Sequence, residues 1–192
     1  MPSEFKYNNK TREIGGTFKI CFIGSLNAKY KGLNDLIKAI SKLKNSAIEL
    51  HILGSGSNHK YIHLAESLGI KKQLHFHNPI KGGVKVLEWL SKYDLYVQPS
   101  HTEGLPRALI EAMSVGLPCI GSRVGGIPEL LSDIALFKAK NFCELSNKIQ
   151  LFIDNSSLRQ EQCSINSEKA KEYCFDILRT KRARFLKSFF GN

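Results

Sequence analysis

The chain has 192 residues, 42% apolar and 23% charged, with a net charge of +11. That length suits one domain with a proper core and falls short of the usual two-domain enzyme. No apolar run approaches the roughly 18 residues of a membrane span, the start lacks the apolar centre of a signal peptide, and the positive charge suggests an anionic partner without choosing among nucleotide phosphate, nucleic acid and anionic lipid.

In chain order, residues 1–16 are polar and read as a flexible lead-in, before a single domain over residues 17–192. "FKICFIG" predicts a first strand, and Leu33, Leu36, Ile37, Ile40 and Leu43 then fall on one helical stripe. "IELHILG" predicts a second strand, and Tyr61, Leu64, Ala65 and Leu68 a second stripe. "QLHFHN", "DLYVQPS", "PCIGS" and "IALF" are further strands, most of them ending at Gly, Pro, Ser or Asn. Phe142, Leu145, Ile149, Phe152 and Ile153 mark a later amphipathic helix. Helices over roughly 157–189 end the chain without further strands and are expected to pack across the sheet. Their basic stretch, Arg179, Lys181, Arg182, Arg184 and Lys187, reads as a solvated face. The cysteines, Cys21, Cys119, Cys143, Cys163 and Cys174, form no C-x-x-C pair, so free thiols in a reducing cytosol are expected.

Strand and helix alternate about six times, which predicts an α/β, Rossmann-like parallel sheet of about six strands flanked by helices. In such sheets ligands bind at the carboxyl ends of the strands. The segments to inspect are therefore "GSLNAKYKGL", "GSGSNHK", "HNPIKGG", "PSHTEGLP" and "GSRVGGIPE". In "EGLPRALIE", Pro106 suits a first helical turn, and the amides there, with the positive end of the helix dipole, suit an anion. Leu109, Ala112 and Met113 form that helix's apolar stripe, with Arg107, Glu111 and Ser114 opposite. Periodicity alone therefore makes Glu111 a surface residue and Glu103 a solvated loop residue. Lys31, beside a helix start, is a sensible diphosphate partner. There is no D-x-D and no H-E-x-x-H, so no protein-held metal and no cofactor is expected.

Taken in order, these loops resemble the retaining glycosyltransferases of family 4, which have the two-domain GT-B fold. "EGLPRALIEAMSVGLPCI" is similar to their E-x7-E signature, "FIGSLNAKYKG" to the first strand with its Lys-Gly, and "ELHILGSGS" to the second strand and its turn. "LHFHNPI" stands where the family has its nucleobase strand, and "GSRVGGIPELL" resembles the G-G-x-P-E segment. The resemblance covers about residues 17–137, with a further likeness from "EYCFDIL" onward.

It implies roles that periodicity does not. Glu111 would bind the ribose hydroxyls. Glu103 would lie beside the transferred sugar, and amides near Gly104 and Leu105 would hold the sugar or distal phosphate. Gly24 would belong to the donor site, Lys31, seven residues beyond it, would neutralise the diphosphate, and Ile80 would touch the base. Lys31 and Glu103 are thus the expected catalytic residues. Two positions depart from the pattern: Ser25 stands where Arg is common, unless Lys29 substitutes, and Asn78 stands where Gly is common.

The implied substrate is a nucleotide sugar such as a UDP- or GDP-hexose. The acceptor would be a saccharide or lipid-linked molecule held by an N-terminal domain that about 16 polar residues cannot build. The expectation is a donor-binding half, inactive in transfer by itself, cytoplasmic and able to touch the inner face of a membrane. Other readings are a non-catalytic nucleotide-sugar-binding module, a basic nucleic-acid binder, disfavoured for want of an aromatic platform, and a glycosidase built on the paired glutamates, ranked last because the family sets them on ribose and sugar.

Overall fold

The computed structural model describes residues 16–43 and 47–173, together with residues 177 and 179. The lead-in, apart from Gly16, lies outside the described residues, as do Cys174 and, apart from Arg179, the basic stretch of the last helix.

The strand-like segments become β1 (Phe18–Ile23), β2 (Ile48–Leu53), β3 (Leu74–His77), β4 (Leu95–Gln98), β5 (Cys119–Ser122) and β6 (Leu136–Phe137). They form one six-stranded sheet, β3-β2-β1-β4-β5-β6, with every pairing parallel. Parallel strands are covered on both faces, so β1 is buried over most of its length and β4 and β5 throughout. β2 differs. Ile48, Leu50 and Ile52 are buried on one face, while Glu49 and His51 alternate with them and are only partly covered.

The helices are α1 (Leu33–Ser41), α2 (His59–Ser67), α3 (Val84–Leu90), α4 (Arg107–Ser114), α5 (Phe142–Asp154) and α6 (Ser156–Lys171). α1 buries Leu33, Leu36, Ile37, Ala39 and Ile40, each worth up to about 1.5–3 kcal/mol of transfer free energy for the larger side chains. Leu68 departs from its predicted stripe. α2 stops at Ser67, Gly69 turns the chain at a φ of 71°, and Leu68 is left exposed between them. Pro106 is also displaced by one position, standing as the extended N-cap before α4 rather than in its first turn.

α6 answers the expectation for the tail in a specific way. Asn155 closes α5 and caps α6, its side chain accepting from the Leu158 amide at 2.8 Å, so the chain reverses sharply. α6 then packs on both α4 and α5. Its side chains touch the starts of strands. Arg159 lies over the Phe18 ring, Asn166 donates to the Leu117 carbonyl at 2.9 Å, and Gln162 meets Ser132 at 2.6 Å. The helix therefore crosses the amino end of the sheet and leaves the carboxyl end open.

Candidate functional site

The strand order reverses between β1 and β4. In sheets of this kind ligands bind in the crevice outside the carboxyl ends of the strands at such a switch point, and here the loops leaving β1 and β4 meet there. After β1 the chain makes a short 3-10 turn over Lys29–Lys31, then passes through Gly32 at a φ of 73°. A Cβ on Gly32 would lie 1.8 Å from the Pro99 carbonyl oxygen, so only glycine lets the two loops pass this closely. The His101 amide donates to the Tyr30 carbonyl at 2.7 Å, and the His101 ring meets the Asp35 carboxylate at 2.6 Å.

This contact brings two of the expected residues together. Lys31 Nζ lies 2.7 Å from Glu103 Oε2, across 72 positions of sequence. The same oxygen accepts from Ser100 Oγ at 2.9 Å and from Gln98 Nε2 at 3.3 Å. Gln98 also donates to Ser100 and accepts from the Tyr96 hydroxyl at 2.6 Å. Three donors on one oxygen hold Glu103 as a fixed post, with its side chain only 12% exposed and that of Lys31 20%. Gly24 lies beneath, where an added Cβ would stand 3.5 Å from the Lys31 stem.

The loop after β5 supports the loop after β4 from behind. The Gly126 amide donates to the Gly104 carbonyl at 3.0 Å, and a Cβ on Gly125 (φ 52°) would lie 1.6 Å from the Glu103 carbonyl oxygen. The space beside Gly104 itself is open. Among the described residues, no acceptor lies against the Gly104 and Leu105 amides, which stand just ahead of α4. Leu105 is 48% exposed.

Glu111 lies on the polar stripe of α4 yet is partly buried, and burial pushes its carboxyl up, opposed by the Arg107 charge one turn away. Its field and that of Glu103 both reach the Tyr96 hydroxyl, which burial above all holds well above its usual range. Ile80, on the loop leaving β3, is partly buried against the core. Lys29, Ser25 and Asn78 are exposed.

Sequence reasoning missed Tyr96, Gln98, Ser100, Gly125 and Gly126 as parts of this arrangement. A signal existed: Gln98 and Ser100 are polar residues two apart at the end of an apolar strand, where burial demands partners. Among the described residues the side chains grouped closely enough to hold a metal, Glu49, His51 and His75, lie on β2 and β3. No helix among the described residues is long and apolar enough to cross a membrane.

Residues 3–170 match the family model of Glycosyl transferases group 1. Protein CapJ of Staphylococcus aureus is 33% identical over 183 residues, which is 94% of this chain and 47% of CapJ. The chain spans no more than about half the length of the curated relatives it matches. The catalytic domain of cholesterol-alpha-glucosyltransferase from Helicobacter pylori superposes with a TM-score of 0.70 at 29% identity, covering 81% of this chain and 99% of that one. Anabaena HepE, solved with UDP and glucose, superposes with a TM-score of 0.79 at 21% identity, covering 90% of this chain and 49% of that one.

Proposed function

The chain belongs to the group 1 glycosyl transferases, and from that premise we propose that it is the donor-binding half of a retaining enzyme that moves a hexose from a nucleoside diphosphate sugar to a saccharide or lipid-linked acceptor. The observation that carries this reading is the Lys31–Glu103 pair at 2.7 Å, at the point where the strand order reverses. A fixed cation, amides ahead of α4 and a partly buried carboxylate on that helix are what an activated sugar would need.

Each group has a distinct task. The Lys31 ammonium has three donors, and those not used on Glu103 stabilise the diphosphate as negative charge develops on it. The Gly104 and Leu105 amides, helped by the α4 dipole, receive a phosphate or sugar oxygen. Glu103 Oε1 faces the sugar, while Glu111 accepts from the two ribose hydroxyls. Ile80 offers an apolar face to the base. Catalysis in this half is positioning and leaving-group stabilisation, with no side chain acting as base. The acceptor would bind a second domain. The work would take place in the cytoplasm, in polysaccharide or glycolipid synthesis, with peripheral contact to the membrane. The likeness to a fold solved with UDP and glucose supports a nucleotide-sugar donor.

Calorimetry tests the assignment. Lys31→Ala should weaken UDP or GDP far more than the bare nucleoside, and Glu111→Ala should weaken both by about 1–3 kcal/mol. Equal losses for diphosphate and nucleoside on removing Lys31 would reject its phosphate role. Absence of binding to any nucleoside diphosphate would overturn the whole reading.

A further inference from the structure

A second constellation lies away from the crevice, on a face of the sheet near its β3 edge. Glu49 and His51 stand two apart on β2, and His75 sits opposite His51 in the parallel register with β3. The His51 and His75 rings stack with centroids 4.7 Å apart. Glu49 reaches toward both: Oε2 is 3.1 Å from His51 Nε2, and Oε1 is 3.9 Å from His75 Nε2. One ligand atom from each residue falls within a set no wider than 4.8 Å. A tetrahedral ion with bonds of about 2.0–2.1 Å spaces its ligand atoms roughly 3.3–3.5 Å apart, so the set is close to the required spacing, and the His51 and His75 rings, stacked at 18°, would turn out of their stack to aim at one ion.

Two further features point the same way. His75 Nε2 is buried without a hydrogen-bond partner among the described residues, and a buried polar atom of that kind calls for one. His51 turns its other nitrogen, Nδ1, to His77 Nε2 at 2.9 Å, as a metal-bound imidazole usually does toward a supporting group. His77 is in turn braced edge-on by Trp89 at 5.6 Å, and Tyr93 lies 4.9 Å from the His51 ring.

We propose that Glu49, His51 and His75 bind a divalent first-row transition ion, with zinc the best match to two imidazoles and one carboxylate and with a fourth position left to water. The ion would tie β2 to the edge strand β3. No linear motif announces the site, because its ligands alternate along one strand and are completed by the next.

The test uses the full chain without a histidine tag, stripped with chelator and then freed of it. Titration with cobalt(II) should give one saturable equivalent with the visible bands of a four-coordinate ion, which zinc then abolishes. His75→Ala and Glu49→Gln should each weaken binding at least about tenfold, and His77→Ala about 10–100-fold through the supporting bond. His63→Ala, on the exposed face of α2, should change nothing. Circular dichroism checks each fold, and the near-isosteric Glu49→Gln carries the test if His75→Ala does not fold. No saturable binding at micromolar ion, or binding that survives both Glu49→Gln and His75→Ala, would overturn the proposal.

Discussion

The Glu111 carboxylate is partly buried, and among the described residues no cation lies within ion-pair distance of it. Burial raises its folded-state pKa above the unfolded value, so the folded protein holds the proton more tightly. Stability should therefore fall as pH rises from 4.5 through the raised value, and the penalty is fully present above it. Glu111→Gln should remove that penalty. The expected outcome is a gain in stability at neutral pH that vanishes below pH 4.5, alongside weaker nucleoside diphosphate binding. Urea denaturation at several pH values checks the first part, and a stability difference independent of pH would refute it. The contrast with Glu103 is instructive. Glu103 has three donors on one oxygen, whereas among the described residues no donor lies against the Glu111 carboxylate. One carboxylate is held by its neighbours, and the other is the one that the proposed function assigns to ribose.

At the scale of the element, the loop from Pro99 to Pro106 is shaped by its neighbours more than by its own residues. Gly32 presses on it from one side and Gly125 from the other, each at a positive φ and each closer than any Cβ would permit. Gly125→Ala should destabilise the chain by about 1–3 kcal/mol or more, because it adds backbone strain to a clash with the Glu103 carbonyl. It should also lower nucleoside diphosphate affinity by displacing Glu103. Gly104→Ala has open space and no positive φ, so its effect on stability should stay within about 0.5 kcal/mol while binding still suffers. Thermal melts paired with calorimetry separate the two cases, and equal destabilisation by both substitutions would contradict this division of roles. The strands were readable because short apolar runs ending at turn residues have few alternatives. The end of α2 was harder. Leu68 fits the stripe, but a single glycine after it decides where the helix stops.

For the molecule as a whole, α6 joins helices of both sheet faces across the amino end, opposite the crevice. Asn166→Ala removes the buried donor to Leu117 and should cost roughly 1–3 kcal/mol without changing nucleotide affinity, since the site lies at the other end of the strands. Denaturant midpoints and calorimetry check this, and a loss of affinity equal to the loss of stability would show the two ends to be coupled. The sequence by itself determined the α/β alternation, the six strands and the loops that hold Lys31, Glu103 and Glu111, because periodicity and turn chemistry are local properties of the chain. The family resemblance implied roles for those positions. Only the tertiary structure decided that Lys31 meets Glu103, that Gln98 and Ser100 brace the pair, and that Glu49, His51 and His75 converge on one point. These contacts join residues far apart in the chain or on neighbouring strands, and their distances follow from strand order and register, which no local pattern encodes.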